Sequence, residues 1–149
     1  MELRVTSWTP FVGRRLLPDL APGQHVKAGD EVRIGHLTDL HVEARPRGRD
    51  PLYVVRSWLE EFARHQVDVV AVSGDLVERA HMRSEMEAVK TLLERCGMAW
   101  VVAPGNHDHH DVRGRTYSTF LELFGPFPRV VQARGIDFIL LDSALRGEH

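Results

Sequence analysis

Apolar residues in this chain gather into three short runs, at 32–37, 67–72 and 99–103. Between them lie stretches in which apolar positions recur every three or four residues. By their length and β-branched content the runs read as buried strands, and the intervening stretches read as amphipathic helices. One helix is expected over 50–66, with Asp50 as its cap, Pro51 in its first turn, and Val54, Val55, Trp58, Leu59 and Phe62 as its inward stripe. A second is expected over 82–96, with Met82, Met86, Val89, Leu92, Leu93 and Cys96 inward and Gly97 as its stop. A third, short helix at 117–124 ends at Gly125-Pro126. A hairpin then pairs 129–133 with 136–141 and turns at Arg134-Gly135. Residues 1–31, broken by Pro10, Pro18 and Pro22, predict an irregular arm or small hairpin before the first strand.

Strands alternating with helices imply a parallel sheet, and such sheets bind ligands outside the carboxyl ends of their strands. Each apolar run here leads into a polar string: Asp39-Leu40-His41, Gly74-Asp75, and Gly105-Asn106-His107-Asp108. Side chains able to hold metal or move protons are thereby expected on one rim. Asp, His and Asn are the oxygen and imidazole donors suited to Mn, Fe, Zn or Mg, with no thiolate among them. On an extended segment, Asp39 and His41 point the same way and serve one metal. Asp75 follows a glycine that permits a sharp turn, and its two oxygens suit a bridge between two metals. Asn106 offers a neutral carbonyl oxygen to the second. His107, beside Asp108, reads as a proton donor or phosphate clamp, with the carboxylate holding the imidazole in place.

These strings, with Leu76 after the second, resemble the first three motifs of the calcineurin-like metallophosphoesterases. Pro104 and the closing Phe138-Ile139-Leu140-Leu141-Asp142-Ser143 fit the branch of bacterial cyclic-nucleotide phosphodiesterases and their relatives. The resemblance runs from about Val32 to Ser143. It implies an α/β metallophosphoesterase-type sheet sandwich flanked by helices. The activity it implies is hydrolysis of phosphate mono- or diesters, such as a cyclic nucleotide, by a hydroxide activated between two divalent metals of the Mn/Fe/Zn class. In that family the residues matching Asp39 and His41 hold one metal, the match to Asp75 bridges both, the match to Asn106 holds the second, and the match to His107 contacts phosphate. Two further family motifs, a histidine after a later strand and a Gly-His-x-His string, have no counterpart here. Residues 32–149 therefore read as the first part of such a domain, expected to be nearly inactive alone. The alternatives are a non-catalytic metal-binding half that works through a partner, and a nuclease acting on nucleic-acid ends.

Composition adds limits. With 149 residues and 43% hydrophobic content, the chain has enough apolar mass for one core. Nineteen basic against 21 acidic residues leave a net charge of −2, which gives no footprint for duplex nucleic acid. Arg45, Arg47 and Arg49 follow the first string, as a solvated loop or one that steers an anionic substrate. Cys96 is the only cysteine, so no intramolecular disulfide is possible. No apolar run reaches membrane-span length, and Pro18, Asp19 and Pro22 break the stretch after Arg14-Arg15 that an export signal would need. The expected partner is a small phosphate ester and the expected compartment cytoplasmic. Strand 136–141 is expected to leave an uncovered edge open to self-association or a partner. His36 reads as a packing histidine, His109 and His110 as loop-surface or substrate-side residues, and His25, His65, His81 and His149 as surface.

Overall fold

The computed structural model describes residues 32–43, 50–109 and 118–143. The arm at 1–31, the arginine loop, His110, Tyr117 and everything after Ser143 lie outside the described residues. Three parallel strands, β1 (Ile34–Leu37), β2 (Val69–Ser73) and β3 (Ala99–Ala103), form a sheet in the order β1-β2-β3. Gly35 pairs with Val70, and Val70 with Trp100. The helices α1 (Tyr53–Arg64) and α2 (Arg83–Arg95) make the crossovers. A one-turn helix, α3 (Asn106–His109), follows β3. After it come α4 (Thr119–Phe124) and an antiparallel pair, β4 (Arg129–Ala133) and β5 (Ile136–Leu140).

Strand alternation divides the core into two layers. Leu37, Val70, Val72 and Val102 face one side and pack with Val55, Leu59, Met86, Val89, Leu93, Phe120 and Phe124. Val69 and Val101 face the other side and pack with Val131, Ala133 and Leu140 of the hairpin. The apolar runs of β2 and β3 are therefore continuous because both faces of their sheet are covered, as parallel sheets require. The hairpin turns at Arg134 and Gly135, with φ of 52° and 74°, the two positive values of a type I′ turn. It lies nearer β3 than β1, and Ile34 stays half exposed. Ile139 and Leu141 are also exposed. No helix among the described residues is long and apolar enough to cross a membrane.

Two expectations for α1 need correction. Its N-cap is Leu52, and Asp50 acts two residues earlier: its Oδ1 accepts from the Leu52 amide at 3.0 Å and its Oδ2 pairs with Arg56 at 2.9 Å. The inward stripe is also narrower than the sequence suggests. Val55 and Leu59 are buried and Phe62 lies over Gly35 of β1, but Val54 and Trp58 are 59% and 51% exposed. Among the described residues β1 is an edge strand, so the sheet there has width for only one row of the α1 stripe. Leu59→Ala should accordingly lower stability by about 2–5 kcal/mol, whereas Trp58→Ala should change it by less than about 0.5–1 kcal/mol. Urea unfolding of the two variants checks this, and equal losses would place Trp58 in the core.

Candidate metal centre

Beyond Leu37 and Ser73, the chains leaving β1 and β2 stay paired. The Asp39 amide donates to the Gly74 carbonyl at 3.2 Å, that of His41 to Asp75 at 2.9 Å, and that of Val42 to Leu76 at 3.0 Å. Val42, Leu76 and Val77 are buried beneath this ladder, which anchors both loops to the core. The backbone above it is not the extended segment expected from Asp39-x-His41. Asp39, His41 and Asp75 have φ of 53°, 43° and 52°, in the left-handed region. Asp and His are among the few residue types that enter this region readily, and such positions cluster at functional sites. The three side chains converge because each backbone turns at its own residue.

The convergence is close. His41 Nε2 lies 3.8 Å from Asp39 Oδ1 and 3.9 Å from Asp75 Oδ2. The other ring nitrogen, Nδ1, sits 3.0 Å from Glu78 Oε2. A carboxylate only accepts, so Nδ1 donates to Glu78 and Nε2 is the nitrogen turned toward the other two carboxylates. The 3.8–3.9 Å separations are too long for hydrogen bonds. They lie within twice the roughly 2.0–2.2 Å bond that nitrogen and carboxylate oxygen make to a transition metal. A gap faced by one imidazole nitrogen and two carboxylates suits a divalent cation, so the donor set fits a metal. Glu78 supplies the outer hydrogen bond that orients a ligating histidine.

Glu78 was not among the residues singled out from the sequence. Its signal was its place three residues after Asp75, where a carboxylate follows the buried Leu76-Val77 pair. It also reaches the third string: its backbone carbonyl accepts from His107 Nδ1 at 2.8 Å. The His107 and His41 rings meet edge to face with centroids 4.7 Å apart. His107 thus stands beside the cluster with Nε2 free of this bond. Its own amide donates to Asp75 Oδ1 at 3.0 Å. Asn106 begins α3 with an exposed side chain. It lies between Gly105 and His107, whose backbones both touch the Asp75 carboxylate.

Asp108 does not hold the His107 imidazole, as the sequence led us to expect. It is fully buried, and its Oδ1 accepts from the Leu76 amide at 2.9 Å and the Val77 amide at 3.4 Å. Its Oδ2 accepts from the Gly105 amide at 2.9 Å. A one-turn helix presents successive residues in different directions, so Asp108 points inward while its neighbour His107 points to the rim. Asp108 ties the Asp75 loop to the loop that begins α3. The two loops touch closely enough that a Cβ on Gly74 would come within 2.6 Å of the Gly105 nitrogen, and one on Gly105 would collide with Asp75 Oδ1. Burial pushes the Asp108 carboxyl up to about 6; the three amides pull it partly back, and the charge of Asp75 adds to the rise.

Two histidines also differ from expectation. His36 is exposed on the sheet face that the hairpin leaves open, and its Nε2 lies 2.7 Å from Ser73 Oγ. A strand covered on one side only turns every second residue to solvent. His109 is buried, not on the surface: its Nε2 lies 2.9 Å from Asp142 Oδ2 and its ring packs on Phe120.

Asp108→Asn places an NH2 group opposite one of the three amides, and the substitution should cost about 1–3 kcal/mol at neutral pH. The cost should also depend on pH. A carboxyl raised from 3.8 unfolded to about 6 folded contributes stability below pH 4 that is lost as pH rises through 6. The stability difference between wild type and Asp108→Asn should therefore shrink between pH 4 and 7. Urea unfolding at a series of pH values in a chelating buffer reads this directly, and a flat difference would refute the raised carboxyl.

Comparison with known proteins adds one decisive match. No curated protein matches the chain. The family model for calcineurin-like phosphoesterases matches residues 32–145, a span that holds every described strand and helix and all three polar strings. Metal-dependent hydrolysis of phosphoesters is that family's chemistry, and the carboxylate–imidazole cluster offers the donors for it. The chain belongs to the calcineurin-like phosphoesterase family.

Proposed function

We propose that the rim site is built to hydrolyse phosphate esters with two divalent metals of the Mn/Fe/Zn class, that a small phosphodiester such as a cyclic nucleotide is its substrate, and that turnover by this short chain is low. The observation that carries this reading is the Asp39–His41–Asp75 cluster, in which His41 Nε2 lies less than 4 Å from two carboxylates. Asp39 and His41 would hold one metal, Asp75 would serve both, and Asn106 would contribute to the second. Bound cations there supply neutralisation of phosphoryl charge and activation of water.

The chain's own residues supply the rest. Glu78 keeps a proton on His41 Nδ1, which leaves Nε2 as the nitrogen that would hold a metal. The Glu78 carbonyl keeps a proton on His107 Nδ1, which leaves Nε2 as the nitrogen that takes up and returns a proton. Once protonated there, His107 donates to a phosphoryl oxygen or to the leaving oxygen. The His107 amide bond to Asp75 keeps acid and carboxylate at a constant separation. The test is turnover of bis(p-nitrophenyl) phosphate, p-nitrophenyl phosphate and cyclic AMP by the purified chain with added Mn²⁺. No turnover of any of them, with two metals bound per chain, would reject the hydrolytic reading.

Asp75→Asn should remove more activity than any other single substitution, because loss of the shared charge weakens both metal positions. Activity within about tenfold of wild type at saturating metal would refute its shared role. His107→Ala should bind metal as wild type does by elemental analysis while kcat falls by about 10²–10⁴, most for esters with poor leaving groups. Loss of a bound metal in that variant would make His107 a ligand instead.

A further inference from the structure

The pair His109–Asp142 lies outside the chemistry described above and is buried on both sides, at 4% and 3% side-chain exposure. Burying such a pair is costly. Replacing one with apolar residues is often neutral or stabilising, so stability alone gives little reason for it. What it does have is a position. His109 is the last residue of α3, the helix whose first two residues are Asn106 and His107. Asp142 stands just past the end of β5, in the layer on the opposite face of the sheet from α1 and α2.

We infer that Asp142 is a positioning residue for the rim site, acting through His109 to set the orientation of α3 and with it His107. The inference rests on the hydrolytic reading for its kinetic consequence, though not for its structural one. A helix of four residues is far below the roughly 12–15 that hold a helix alone, so its direction depends on its anchors. Asp108 fixes one side of the turn to the Leu76, Val77 and Gly105 amides. That anchor holds the interior side of the turn and does not by itself set the direction of its last residue, His109. The Asp142 carboxylate and the Phe120 ring, whose centroid is 5.6 Å from that of His109, provide the second point. With both points held, the His107 amide reaches Asp75 and its Nδ1 reaches the Glu78 carbonyl. The hairpin that covers one face of the sheet therefore also aims the acid of the site.

The experiment compares Asp142→Ala, Asp142→Asn and Val131→Ala in the full chain. Val131 is buried in the same hairpin layer, and its truncation loosens that layer with both members of the pair in place. The readouts are the ¹⁵N spectrum of the His107 ring without metal, and kcat and KM for bis(p-nitrophenyl) phosphate with Mn²⁺. Asp142→Ala should lose the single Nδ1-protonated signature of His107 and lower kcat roughly 10–100-fold, with KM within about threefold. Asp142→Asn, which keeps the size of the side chain and an oxygen beside His109 Nε2, should return kcat to within about threefold of wild type. Val131→Ala should lower the melting temperature and leave the His107 spectrum unchanged. An unaltered His107 spectrum in Asp142→Ala, or the same spectral loss in Val131→Ala, would overturn the inference. Absence of turnover in wild type would reject the hydrolytic reading alone, since the ¹⁵N spectrum still decides the role of Asp142.

Discussion

The buried Asp108 carboxylate is the constraint on which the site rests. Two oxygens collect amides from two loops that are distant in sequence, Leu76 and Val77 on one and Gly105 on the other. Each amide would otherwise be an unsatisfied donor in a dry place, so the loops cannot separate without exposing all three. The contact between Gly74 and Gly105 follows from that closeness, as does the reach of the His107 amide to Asp75. The raised carboxyl shows that the tie opposes a strong desolvation. A neutral side chain would be easier to bury, but none offers acceptors on both oxygens at once.

Around that tie, labour is divided along a single helical turn. Asn106 and His107 face the rim, while Asp108 and His109 face the interior. The polar string after β3 thus presents its first half at the rim and uses its second as anchorage. A comparable division holds after β2, where Asp75 points to the cluster, Leu76 and Val77 sink into the core, and Glu78 returns to the rim beside His41. The apolar layers decide how far each loop can move, and the polar residues use the small region left at the strand ends.

Much of the architecture was legible because it depends on period and length. β1, β2 and β3, α1 and α2, and the hairpin with its Arg134-Gly135 turn all lie within a few residues of where apolar spacing and turn chemistry put them. What escaped was set by partners far along the chain. Trp58 and Val54 belong to a plausible stripe, but whether a stripe is covered depends on the width of the sheet beneath it. The grouping of Asp39, His41 and Asp75 at one place follows from strand order, whereas the left-handed turns that bring them together have no periodic signature. Glu78 carried no motif of its own, and Asp142 was read only as part of the closing string, with no partner assigned. Asp108 was legible as important and misread in role, because adjacency to His107 suggested contact where a helical turn sends neighbours apart.

The left-handed backbone at Asp39, His41 and Asp75 has an evolutionary corollary. At these positions shape and charge are separate filters acting on one residue. A lineage that abandoned metal chemistry would lose the charge filter and keep the conformational one. Its substitutions would then drift toward asparagine and glycine, which enter the same backbone region readily, and away from alanine, valine or leucine. The identity of the replacement, more than the loss of the carboxylate, would tell a retired site from a damaged one.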